Sequence, residues 1–297
     1  MAVCAAISAE GRKKLKSACQ QEAAATNGPA PISELLAVPA PISELPALLP
    51  LPDSPCSATV VESVHLDARC RAAVRAGRSR KQRVILCFGD SLTAGFSRQD
   101  GELTPYSDKL RQVMYERCAD KSVIPGLMTA GVRSETTFEM CKRLPELLQK
   151  YEGLIDVGLI LGGTNDLGDV PVHIALGNLE QLHKMAHAAG ARTGVLTVPD
   201  CTFGASAATP RPHDKEQAEI NAGLKRFVEQ DPEHAFLVDV ATALPQDDKH
   251  AEMWESDGTH FSAKGYESLG ELVAEVIMRQ LPGDVVQCRP TVQKPAA

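Results

Sequence analysis

An α/β fold with a parallel, doubly wound sheet is what the sequence predicts, on three observations. Short apolar runs of strand length recur at 84–88, 122–128, 155–161, 193–198 and 235–240. Between them lie stretches whose apolar residues are spaced three and four apart, as on one buried helix face. The two kinds of segment alternate from residue 83 onward, and five such strand–helix units place a parallel sheet between two helical layers.

The first run, 84–88, is unbroken and stops at Gly89, the pattern of a central strand buried on both faces and followed at once by a tight turn. Ser91 stands just past its carboxyl end, on the rim where open α/β sheets bind ligands. Gly89-Asp90-Ser91 is equally ordinary turn chemistry, so position alone leaves both readings open. The motif is not the Gly-x-Ser-x-Gly elbow, because Thr93 occupies the position of the second glycine. Pro105 opens a helix running to Arg117, with Leu110, Val113 and Met114 on one face. Thr136 and Glu139 have the spacing of a capping box and start a helix that carries Met140, Leu144, Leu147 and Leu148. The segment Gly131-Val-Arg-Ser134-Glu135 leads into that helix, whose free N–H groups favour negative charge.

The strand 155–161 ends in Gly162-Gly-Thr-Asn165-Asp166, and a helix over 171–189 follows. After the strand 193–198 a loop runs to His213, and Asp214 caps a helix with Ile220, Leu224, Phe227 and Val228 on one face. Ser262 caps the last helix, with Leu269, Leu272, Val273, Val276 and Ile277 turned inward.

One globular body over 83–281, large enough for a full core, is expected between a tail of 1–82 and a short tail of 282–297. Residues 1–82 gather Ala and Pro clusters, almost no aromatics, and a direct repeat, Pro29-Ala-Pro-Ile-Ser-Glu-Leu35 and Pro39-Ala-Pro-Ile-Ser-Glu-Leu45. Two copies interrupted by proline read as a partly extended spacer, with a docking motif as the alternative. Residues 65–81 read as a short Arg-rich helix with a solvated face. Ten Lys or Arg face seven acids in 1–82, and 21 face 31 in 83–297. An acidic body argues against nucleic acid or an anionic membrane as partner.

Nine cysteines are scattered singly, with no Cys-x-x-Cys, which favours reduced thiols and a cytoplasmic site. An organellar transit peptide is the alternative, against which Glu10 and Glu22 count. No stretch reaches the roughly 18 apolar residues of a membrane span. His183 and His187 have a metal-ligand spacing on one helix but no third ligand, so no metal is expected. Cys201 reads as an inert loop thiol.

A serine hydrolase needs a base for the hydroxyl proton, a carboxylate to orient that base, and donors aimed at the developing oxyanion. Asp257-Gly-Thr-His260 follows the last strand and precedes the last helix, so both side chains can reach the rim that carries Ser91. A spacing of three lets one loop hold the carboxylate against the imidazole and set its tautomer. Trp254, the sole tryptophan, either lines an acyl pocket or packs beneath this loop.

Gly89-Asp-Ser-Leu92, Gly162-Gly-Thr-Asn-Asp166 and Asp257-Gly-Thr-His-Phe-Ser262 come in the order and rough separation of the GDSL, or SGNH, hydrolases, which the chain resembles over 83–281. The resemblance implies a flavodoxin-like, three-layer α/β/α fold, carboxylester hydrolysis and no cofactor. It implies Ser91 as nucleophile, His260 as base and then acid, and Asp257 as its orienter. It further implies the Ser91 N–H and the Asn165 side-chain amide as oxyanion donors. The family's second block departs here. Counting back from Thr136-Thr137 puts Ser134 where the family has the glycine whose N–H completes the oxyanion hole, with Gly131 as the alternative donor. The expected substrate is a small or short-chain ester. Acyl transfer through the same acyl-enzyme and a catalytically idle binding module are the competing readings.

Overall fold

The computed structural model of the protein describes residues 64–76, 83–99, 101–202 and 213–280. The repeat at 29–45 and the tail 282–297 lie outside them. A six-stranded sheet runs through the body in the order β1(His65–Leu66), β3(Gly126–Gly131), β2(Val84–Gly89), β4(Ile155–Leu161), β5(Arg192–Leu196) and β6(Ala235–Val238). All neighbouring pairs are parallel except β1 with β3. The five parallel strands match those read from the sequence, and their order is that of the flavodoxin-like doubly wound fold.

The sheet divides the interior into two layers. Ile85 and Cys87 of β2 face a core built with Leu110, Val113 and Met114 of α3(Tyr106–Arg117) and Leu269, Val273 and Ile277 of α8(Ala263–Gln280). Val84, Leu86 and Phe88 face the other layer, with Met140, Leu144 and Leu147 of α4(Thr137–Lys150), Leu179 and Leu182 of α5(Val172–Ala188), and Ile220 and Leu224 of α6(Asp214–Gln230). Burial on both sides is why β2 reads as an unbroken apolar run rather than an alternating one.

Several local readings are corrected by the structure. The sheet has a sixth, antiparallel strand, and the helix expected over 65–81 is α1(Ala68–Ala76), which starts after it. Asp67 accepts the Cys70 N–H at 2.7 Å and starts α1. Cys70 is fully buried, and a Cβ on Gly126 would lie 2.6 Å from its backbone nitrogen, so the glycine is what lets α1 close on β3. The strand expected from 122 begins at Gly126, because Asp120 accepts the Ser122 N–H at 2.7 Å and turns 121–123 into a 3-10 turn. Asp239 caps the short α7(Val240–Ala243) and ends β6 early. Asp214 is the first residue of α6 and not its cap, which is His213.

Among the described residues, no helix is long and apolar enough to cross a membrane. The carboxyl end of β2, where the chain passes between β3 and β4, is the switch point at which such sheets form a crevice.

Candidate active site

Ser91 opens α2(Ser91–Ala94), directly beyond the end of β2. Gly89 pairs with Gly131 on one side and Leu161 on the other, and a Cβ there would stand 2.0 Å from the Leu161 carbonyl oxygen. Only glycine lets three strand ends meet this closely. Asp90 caps the turn, its Oδ1 accepting the Leu92 N–H at 2.9 Å. As the first residue of α2, Ser91 has an N–H outside the helical ladder.

Ser91, His260 and Asp257 come together from opposite ends of the body. His260 Nε2 lies 3.0 Å from Ser91 Oγ, and its Nδ1 lies 2.6 Å from Asp257 Oδ2. Asp257 Oδ1 accepts the N–H groups of Thr259 and His260, each at 3.0 Å. Burial alone would raise the carboxyl's pKa. The backbone N–H of His260, its ring and the N–H of Thr259 outweigh that, and the pKa lies below the usual range. An ionised Asp257 accepts the Nδ1–H hydrogen bond of the imidazole, and that tautomer turns the Nε2 lone pair to the serine.

Gly258 gives the loop its turn at φ +68, and a Cβ there would overlap Thr202 Oγ1. Phe96 meets the His260 ring edge to face, with centroids 5.2 Å apart, and the Tyr266 hydroxyl donates to the Phe96 carbonyl at 2.9 Å. The buried Glu255 accepts the Arg98 N–H at 2.8 Å, and its own N–H donates to the His260 carbonyl at 2.9 Å.

The segment between β3 and α4 reaches the same ring as the histidine, with the Arg133 guanidinium 4.6 Å from the Phe96 centroid. Ser134 is exposed and has φ +60, alone in positive φ among the described non-glycine residues. Gly131 instead ends β3, where a Cβ would come within 2.1 Å of the Ala94 nitrogen. Asn165 sits in the 3-10 turn 164–166 beyond β4, and its Nδ2 donates to the Glu135 carbonyl at 2.9 Å, with its second N–H left over. Asp166 accepts the Thr137 N–H at 3.0 Å and the Thr137 hydroxyl at 2.6 Å, tying that turn to the start of α4. Burial raises the Asp166 pKa despite these bonds.

Trp254 is packed beneath the histidine loop, 4.3 Å from the Phe261 ring, with its Nε1–H donating to the Pro245 carbonyl at 3.3 Å. Cys201 is buried against Thr259, 3.4 Å from its hydroxyl. His183 is buried and its pKa is pushed down to about 3 by that burial, while His187 Nε2 bonds Thr193 Oγ1 at 2.8 Å. Among the described residues one grouping of three metal-ligating side chains occurs, Glu255, Asp257 and His260, with ligand atoms within 4.8 Å of one another. A cation there would compete with the bond that orients the imidazole.

Sequence reasoning missed Phe96, Glu135, Arg143 and Glu255. One signal was present for Arg143: it falls on the same helical stripe as Met140, Leu144 and Leu147, a charge on a core face.

The chain is similar to several solved hydrolases. It matches a lipase/acylhydrolase from Enterococcus faecalis with 27% identity, 67% of this chain and 97% of that one covered, at a TM-score of 0.54. The psychrotrophic esterase EstA from a Pseudoalteromonas species gives 23% identity over 67% and 98% of the two chains, at 0.52. Est24, a carbohydrate acetylesterase from Sinorhizobium meliloti, gives 19% over 67% and 100%, also at 0.52, a likeness of fold. No curated protein matches the chain. Residues 87–267, more than half of the 297, match the sequence model of the GDSL-like lipase/acylhydrolases. With the sheet order of the flavodoxin-like fold and a Ser91–His260–Asp257 relay at its switch point, the chain belongs to the GDSL-like lipase/acylhydrolase family.

Proposed function

We propose that the chain hydrolyses small or short-chain carboxylic esters through an acyl intermediate on Ser91. The observation that carries this reading is the unbroken relay from Asp257 Oδ2 through the imidazole to Ser91 Oγ. Ser91 Oγ bonds to the ester carbonyl carbon as its proton passes to His260 Nε2, and negative charge gathers on the carbonyl oxygen. The Ser91 N–H, the Ser134 N–H and the free Asn165 N–H are the donors for that charge. The intermediate collapses by breaking the bond to the alcohol, which takes the proton from His260 and leaves. Water then gives a proton to Nε2 and attacks the acyl carbon. Return of that proton to Ser91 frees the acid and restores the enzyme.

The test is stoichiometric labelling by an organophosphonate, together with turnover of p-nitrophenyl esters of increasing acyl length and of an acetylated sugar. Wild-type protein is expected to take one label, and Ser91→Ala to take none and lose turnover while remaining folded. Wild-type turnover by Ser91→Ala would overturn the covalent mechanism.

A further inference from the structure

Beneath the rim, one side chain is bonded to both strands whose ends carry the reacting groups. Arg143 lies two turns into α4, and its guanidinium is almost fully buried over the Phe88 ring, 4.1 Å from the centroid. Nη2 donates to the carbonyl of Gly89, two residues before Ser91, at 3.1 Å. Nη1 donates to the carbonyl of Ala130, the residue before Gly131, at 3.1 Å. Nε donates to Glu135 Oε1 at 2.6 Å, and Nη2 also bonds Glu135 Oε2. Glu135 in turn follows Ser134, and its carbonyl accepts the Asn165 amide. The Gly89 carbonyl receives the Val132 N–H as well, at 3.0 Å. Thus one cation reaches, directly or through one further bond, the segments that carry Ser91, Ser134 and Asn165.

We propose that Arg143 is a positioning residue for the oxyanion hole, holding the three donors in register through the Gly89, Ala130 and Glu135 bonds. The proposal rests on the acyl-serine reading of Ser91. A planar fork suits the task because all but one of its N–H donors are used in fixed directions, which an ammonium cannot reproduce. A buried ion pair is a costly way to gain stability, since apolar replacements of similar volume are often as stable or more so. Both partners here bond the backbone or precede a donor, which ties the pair to geometry. Burial raises the Glu135 pKa on balance, and the Arg143 guanidinium opposes that rise.

The consequence concerns turnover rather than binding. Donors that fit the oxyanion and not the ground-state carbonyl act on kcat, so loosening them lowers kcat with little change in KM. The experiment uses the full chain, with Arg143→Lys and the double variant Arg143→Met/Glu135→Leu, which removes both charges together so that no buried charge is left unpaired, while the bonds to the Gly89 and Ala130 carbonyls are lost. For each, kcat and KM are measured with a p-nitrophenyl ester, alongside the final stoichiometry and the rate of organophosphonate labelling.

Both variants are expected to label to full stoichiometry but about 10- to 100-fold more slowly, with kcat reduced in proportion and KM within about 2-fold of wild type. The rate of labelling reports the oxyanion hole, whereas a merely structural role would lower the fraction labelled. Activity lost only in step with that fraction would overturn the proposal, as would a double variant that labels and turns over like wild type. Wild-type protein that takes no label would instead sink the acyl-serine reading, and this proposal with it.

Discussion

At Ser134 a side chain occupies backbone that normally belongs to glycine. Its φ of +60 costs a non-glycine residue on the order of 1 kcal/mol, and its exposure leaves the hydroxyl without a packing role. If the backbone N–H is the donor, Ser134→Gly keeps it and relieves the strain, against a similar entropic cost of glycine in the unfolded chain. We expect Ser134→Gly to retain turnover and to shift stability by less than about 1 kcal/mol. Asn165→Ala deletes a side-chain donor and releases the Glu135 carbonyl, and should cost about 10² to 10³ in kcat. Steady-state kinetics on the two variants separate the donor types, and a Ser134→Gly as inactive as Asn165→Ala would reject the backbone assignment.

Asp90 beside Ser91 has the opposite electrostatics to Asp257. It is fully buried, Oδ2 has no partner, and burial pushes its pKa up to about 7, further raised by Asp166 and Glu135 and opposed by the Leu92 N–H. The native state therefore keeps a proton that the unfolded chain releases near 3.8, so Asp90 makes stability fall as pH rises from 3.8 to about 7. His183 works the other way. Held neutral down to about 3, it makes stability fall as pH drops below 6.5. The two oppose each other in the wild type, so the prediction is for a difference curve. Asp90→Asn, neutral at every pH, should gain stability relative to wild type as pH rises from 5 to 8. Urea midpoints at several pH values check this, and a flat difference would mean that Asp90 is ionised throughout.

Among the elements, α4 shows what sequence can and cannot reveal. Its start was legible because a capping box is local: the Glu139 carboxylate accepts the Thr136 N–H and hydroxyl, each at 2.9 Å. Glu139→Ala should cost about 1 kcal/mol, read as a lower thermal midpoint, and an unchanged midpoint would show that the box contributes nothing. The five parallel strands were legible for a similar reason, since apolar runs are short-range patterns, whereas the grouping of Ser91, Asp257 and His260 was an expectation from the resemblance of three motif blocks spread over the chain. The tethers of Arg143 were not legible, because Gly89 lies 54 residues away and only folding brings its carbonyl to the guanidinium. Nor was β1, whose two residues are too few to show a period. Asp120 delayed the start of one strand and Asp239 ended another early, through side-chain bonds that compete with the ladder and that apolar patterning does not register.

In the whole molecule, the order of the sheet explains why Ser91 and His260, 169 residues apart, meet. β2 lies between β3 and β4, so the loops after these three strands share one crevice, and the histidine loop closes it just before α8 begins. Residues 64–76 stand at the far edge of this plan, yet they are built into it: β1 covers the outer edge of β3, and Cys70 is buried with the second core. Arg69 adds a bond from Nε to the Tyr115 hydroxyl at 2.6 Å, linking α1 to α3. Two truncations follow from this. Removing residues 1–63, whose prolines and repeat suit a spacer, should leave kcat and the thermal midpoint unchanged. Extending the cut through Ala76 removes β1 and α1, uncovers the β3 edge and the core surface that Cys70 covers, and should lower the midpoint by several degrees and favour aggregation through the exposed strand. Turnover at a temperature where the shorter chain is folded should survive, because β1 and α1 contribute no group to the rim. A loss of kcat on removing 1–63, with the midpoint unchanged, would show instead that the leading segment completes the site.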